Sequence, residues 1–230
     1  MKKTAIICII LMLSISVFSY ENHGHDEYEV RYIKEQITTD ITLQQTLREQ
    51  NAWQNFLSNH PHWFVTFNEF NLKPHRAYGE PIDLLNGNSI TDKVMHFIAD
   101  DLSDFNIPLA DIFLLDIREN KKYKYLDFYQ TYSGLKVHDS RLYVKTTKDD
   151  KLVTFGLDVF SDINLSILPT ISENDAISNA TFGIANAFTN AIVKTDLKIL
   201  PVTEHNKYTY RLIYEVEFET TISVGPAKYL

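Results

Sequence analysis

Cysteine is almost missing from this chain. The single Cys8 lies inside the first apolar run, so nothing after it can form a disulfide. Stability then has to come from core burial. Glycine and proline are also scarce, seven of each in 230 residues, against 14 Phe and 13 Tyr. That balance excludes a low-complexity or disordered chain and gives enough apolar mass for one large domain or two small ones. No Lys/Arg stripe runs through the sequence, and the net charge is −8. That balance argues against nucleic acid and anionic membrane surfaces as partners. The motifs of several enzyme classes are lacking: no His-Glu-x-x-His zinc helix, no Gly-x-Ser-x-Gly elbow, no phosphate-cradling Gly-rich loop. The carboxylate pairs Asp100-Asp101 and Asp149-Asp150 are adjacent residues that point apart. They read as solvated charges, since a glycosidase dyad needs two carboxylates converging across a cleft. Asp92, Asp158 and Asp162 read as caps and turns.

What is present begins with a secretory signal over residues 1–19. Lys2-Lys3 is its basic start, and Ala5 to Val17 is an apolar stretch too short for a comfortable membrane span. Val17-Phe18-Ser19 fits a cut before Tyr20. The expected product is secreted or periplasmic, with no stable span after cleavage. Residues 20–62 read as a polar segment followed by a first helix. His23, His25, Asp26 and Glu27 are of metal-ligating type, but nothing in the pattern fixes a ligand geometry, and a plain polar segment is the simpler reading. Thr42 to Ser58 is predicted to be one helix capped by Thr42, with Leu43, Leu47, Trp53, Phe56 and Leu57 on one stripe. His60 and His62 flank the proline that ends it and read as surface.

Trp63 to Leu85 reads as irregular strand and loop, punctuated by Pro74, Gly79 and Pro81. Arg76 and Tyr78 are its candidates for surface contacts. Ser89 to Phe105 is the clearest helix, opened by the Ser89-x-x-Asp92 capping signature. Ala110 to Ile117 is a short strand. Tyr123 to Phe160 then reads as an antiparallel meander. Leu126, Phe128, Gln130 and Tyr132 share one face, Ser133-Gly134 and Lys148 to Lys151 form turns, and Val153, Phe155, Leu157 and Val159 share a face of the last strand. Ser172-x-x-Asp175 opens a second helix carrying Ala176, Ala180, Ile184, Ala187 and Phe188. In Tyr208 to Phe218 the apolar residues alternate with Arg211, Glu215 and Glu217, as in a half-buried strand. The fold class is α+β: two small modules, each an antiparallel sheet packed with a helix.

The segment Leu126 to Val137, LDFYQTYSGLKV, resembles a motif in the propeptides of thermolysin-type and fungalysin-type zinc metallopeptidases: aromatic, x, Gln-Thr-Tyr-x-Gly, apolar, x, Val. Ser140 to Val144 is similar to that family's next strand, and Asp149 to Val153 to its Asp-Gly-Lys-Val-Val hairpin, with Asp150 where glycine is usual. Gly156 falls where the family places a glycine. Pro169 to Ile177 is similar to the start of the second propeptide module, called PepSY. The resemblance covers Trp63 to Leu230 and implies a first propeptide module over 63–160 and a PepSY-like module over 161–230, its last strand cut short. Gln130, Thr131, Tyr132, Gly134, Val137 and Gly156 are the motif residues, with structural or interaction roles. No catalytic, metal or cofactor residue is transferable, because zinc and the catalytic residues belong to a peptidase domain that this sequence does not contain.

The resemblance thus implies the propeptide of a secreted metallopeptidase precursor, a folding assistant and inhibitor rather than an enzyme. Its partner would be the cognate catalytic domain, in cis or in trans, and the sequence would be a fragment of the precursor. The alternative is a free-standing exported module that regulates a separate protease or binds a surface ligand.

Overall fold

Two short helices, α1 (Ile41–Arg48) and α2 (Asn51–Asn59), open the described part of the chain. The structure is a computed structural model and describes residues 39–182, 192–204, 207–219 and 228–229. The stripe expected over Thr42 to Ser58 exists, with Leu47, Trp53 and Phe56 buried, but the helix is broken. Gln50 takes an extended backbone with ψ 145° and restarts the chain as α2. The Gln54 amide donates to the Arg48 carbonyl at 2.7 Å, satisfying one orphan acceptor at the end of α1. Asp40, not Thr42, is the cap: its Oδ1 accepts from the N–H groups of Thr42 and Leu43.

Strands β1 (Trp63–Phe67) and β2 (Pro74–Asp83) form a hairpin where irregular strand and loop was expected. Pro74 opens β2, and Pro81 falls in the register gap between Tyr78 and Ile82, so neither interrupts the ladder to the next strand. α3 (Ile90–Asp101) carries the full capping box: Ser89 Oγ accepts from the Asp92 N–H, and Asp92 Oδ2 accepts from the Ser89 N–H, both at 3.1 Å. β3 (Ile112–Glu119), β4 (Tyr123–Tyr132), β5 (Leu135–Lys136), β6 (Arg141–Thr147) and β7 (Lys151–Asp158) complete the first sheet. Its order is β1-β2-β7-β6-β4-β3, antiparallel throughout, with β5 paired to β4.

The register explains the core. One row crosses all six strands: Val65, Ala77, Phe155, Val144, Leu126 and Ile117 are successive cross-strand partners. The first five are buried, and together with α1, α2 and α3 they form one apolar cluster. Phe155 sits among Trp63, Phe56 and Phe97, with ring centroids 5.5–5.9 Å away. On β7 the inward residue near the start is Leu152, not Val153. The register slips there, with Lys145 opposite Thr154 and Thr146 opposite Leu152, so Val153 is the extra residue of a bulge and the phase changes.

The second sheet has the order β10-β9-β8, from β8 (Ile192–Glu204), β9 (Lys207–Glu219) and β10 (Lys228–Tyr229). α4 (Glu173–Thr181) lies against β9 and starts with a second capping box, Ser172 with Asp175. The expected helix positions Ile184, Ala187 and Phe188 lie outside the described residues, as do the signal, Cys8 and the His23–Glu27 cluster. The architecture is α+β, with antiparallel sheets packed against helices. Among the described residues no helix is long and apolar enough to cross a membrane.

Candidate functional site

The motif residues build the joint between the two sheets. Ser133 (φ 49°) and Gly134 (φ 83°) are both left-handed, as the two-residue turn pairing Tyr132 with Leu135 demands. Nothing lies within 4 Å of a Cβ added at Gly134, so its glycine is needed for conformation alone. Gln130 is 2 % exposed. Its amide pairs with the backbone of Phe160 in both directions: Nε2 donates to the Phe160 carbonyl at 2.6 Å, and Oε1 accepts from the Phe160 N–H at 2.8 Å. The side chain thus stands in for a strand at the point where the chain leaves β7. The Gln130 N–H donates to Ser140 Oγ, Ser140 Oγ donates to the Val137 carbonyl, and the Val137 N–H donates to the Gln130 carbonyl. Both polar side chains of this buried node, Gln130 and Ser140, have their hydrogen-bond partners.

Val137 is fully buried and forms a parallel bridge to Ile199 of β8, and the His138 N–H donates to the Ile199 carbonyl at 2.7 Å. Val137, Phe160 and Ile199 form a second apolar cluster, with Tyr132, Leu135, Tyr208, Tyr210 and Leu212 packed on it. Gln130, Tyr132 and Val137 therefore meet at one joint, with Thr131 buried beside them and Gly134 shaping the turn. Gly156 stands apart, on β7 opposite Tyr143. Asp150 has φ 61°, a backbone conformation that glycine adopts most easily. It is no solvated charge: it accepts from Lys124 Nζ at 2.6 Å and Lys93 Nζ at 2.9 Å, and the Lys124 bond leads in holding its carboxyl below the usual range. Asp101 likewise pairs with His60 at 2.8 Å. Their neighbours Asp149 and Asp100 are exposed.

A polar network runs beside the joint. Asp158 accepts from Asn68 Nδ2 at 3.0 Å and pairs with His75 Nδ1 at 2.8 Å, while Asn68 Nδ2 also reaches the Tyr208 hydroxyl at 3.4 Å. The Tyr210 hydroxyl donates to Asp162 at 2.6 Å. Burial, then this bond, push the Tyr210 phenol far above its ordinary value. Burial pulls the Lys73 amine down, against the attraction of Asp162. The hydrogen bond to Asp158 raises His75, with burial and Arg76 opposing it. A raised imidazole contributes stability that is complete below its unfolded value and is lost as pH rises through the folded one. The urea midpoint is expected to fall as pH rises from the ordinary imidazole range through that raised value. In Asp158→Asn this part of the fall disappears; an unchanged pH profile in that variant rules the pair out as its source.

Behind the joint lies a cleft of about 550 Å³. Its walls carry two charge clusters. Asp127, 6 % exposed, accepts from Arg141 at 2.6–2.7 Å and from Arg118. Lys198 pairs with Glu215 and with Asp196 at 3.2 Å. Burial acts to lower the Lys198 amine, and the bonds to Glu215 and Asp196 outweigh it. Glu215 alternates in sequence with the apolar residues of β9, which suggests a solvent position, yet it is 5 % exposed because it lies beneath Lys198 in this wall. These ion pairs engage acid with base directly, so most of the charge of these two clusters is satisfied within the chain. Among the described residues no group of three or more His, Cys, Asp or Glu is placed to hold a metal ion. The sequence signal for the cleft was thin: its charges come from positions 127 and 141 on β4 and β6 and from 198 and 215 on β8 and β9, and the joint brings the two pairs together.

No family model and no curated protein matches the chain. Among solved structures it has a distant likeness to the Bacillus megaterium YpeB C-terminal domain. The identity is 13 % and the TM-score 0.32, over 80 % of this chain and 89 % of that one.

Proposed function

We propose that this chain is the propeptide region of a secreted zinc metallopeptidase precursor, exported by the signal over residues 1–19. It acts as intramolecular chaperone and inhibitor of the peptidase domain. The observation that supports this reading most is the work done by the motif positions. Gln130, Tyr132 and Val137 latch the two sheets together, Gly134 sets the turn, and Gly156 permits a close strand approach. These are the landmarks that carry the resemblance, and in this chain they hold the two sheets together. Such a scaffold acts by surface complementarity: binding the folded peptidase and not its unfolded chain shifts folding by mass action.

The test uses residues 20–230 against the thermolysin-type and fungalysin-type peptidases secreted by the same organism. Expected are inhibition of the mature enzyme and a higher refolding yield of its denatured catalytic domain. Neither effect on any of these enzymes would sink the proposal.

A further inference from the structure

The outer face of the first sheet is as ordered as its core. A second row crosses all six strands by register: Phe64, Tyr78, Thr154, Lys145, Tyr125 and Arg118. At the usual strand spacing it spans about 24 Å. Phe64 is 63 % and Tyr78 50 % exposed, with their rings 5.8 Å apart. At the far edge Phe113 and Tyr129 form a similar pair, also 5.8 Å apart. Cations lie over the rings: Lys145 Nζ is 3.8 Å from the Tyr123 centroid, and Lys136 Nζ is 5.1 Å from that of Tyr129.

The carboxylates of this face are already engaged. Asp127 and Asp116 are paired with arginines and Glu80 with His62. Among the described residues Arg76, Lys136 and Lys145 have no carboxylate at ion-pair distance. A chain of net charge −8 has thus gathered aromatic anchors and uncompensated cations on one sheet face, whose far end, with Arg118, Tyr129 and Lys136, lines the cleft. Aromatic and arginine side chains are the residues that dominate protein interfaces when desolvated. Covering these cations with an apolar or basic surface would strand them. A carboxylate-rich surface would pair them.

We propose that this outer sheet face docks a partner protein through a carboxylate-rich patch. Taken with the proposed function, on which the partner's identity rests, that patch belongs to the peptidase domain. The experiment measures inhibition of the secreted peptidase by residues 20–230, as wild type and as Arg76→Glu/Lys145→Glu. A second variant, Lys145→Gln, removes charge without reversing it. The double variant is expected to inhibit roughly 100-fold less well and Lys145→Gln roughly 10-fold less well, with wild-type inhibition weakening as salt is raised. Thermal melts followed by circular dichroism check that both variants fold. Wild-type inhibition that survives the charge reversal overturns the docking face and leaves the propeptide reading standing. Absence of wild-type inhibition and binding overturns both. Binding of a single-stranded oligonucleotide through the same residues, in place of the peptidase, overturns the commitment to an acidic protein.

Discussion

Replacing Gly156 with alanine is expected to lower the stability of the fold by about 3 kcal/mol, at the upper end for overpacking a filled site. A Cβ there would come closer than 3.0 Å to two ring carbons of Tyr143 and to the carbonyl oxygen of His75. The ring is a side chain and can move. The carbonyl belongs to the backbone of β2, so relief requires β2 to part from β7. The double variant Gly156→Ala/Tyr143→Ala should therefore recover only part of the loss. Urea unfolding measures both. A single-variant loss under about 1 kcal/mol would show that the strands separate easily, contrary to the packing described.

The second large effect is expected at Gln130. Leucine nearly matches its volume but leaves the Phe160 N–H and carbonyl without partners in a buried place, worth about 3 kcal/mol in all. The same change loosens the latch to the second sheet, so limited proteolysis should cut residues 161–171 faster than in wild type. Gln130→Glu is the sharper probe. Its carboxyl can still accept from the Phe160 N–H, but it can donate to the Phe160 carbonyl only when protonated. The folded state then raises its pKa. The variant should be most stable below the unfolded glutamate value and lose stability as pH rises through the folded one. A Gln130→Glu variant with a flat acid-range profile and near wild-type stability would count against the latch.

Local signals in the sequence were legible wherever backbone chemistry is decided within four residues. The Ser89 and Ser172 capping boxes, the Ser133-Gly134 turn and the order of the meander could all be read from residue types. The break at Gln50 could not, because no glycine or proline marks it and the buried stripe runs through unbroken. Pro74 and Pro81 misled in the other direction: both look like breakers, but one opens its strand and the other occupies a register gap. The bulge at Val153 reverses a face without any compositional trace. Of the candidate site, Gln130, Tyr132 and Val137 were legible as a motif but their partners were not. Phe160 and Ile199 lie 30 and 62 positions along the chain from Gln130 and Val137, joined only by folding. The cleft charges share that problem, since Asp127 and Glu215 each read as one polar residue in an alternating strand.

The sheet order carries a kinetic consequence. The pairs β1–β2, β3–β4, β4–β6 and β6–β7 all join segments close in sequence, so each can form as a local event. The pair β2–β7 instead closes everything from Leu84 to Asp150 into a loop, and its chain entropy must be overcome before the contact rewards it. This seam should be the late, slow step of folding, and Gly156 lies on it. Its crowding by alanine would then appear more in the unfolding rate than in the folding rate, as for contacts made after the barrier.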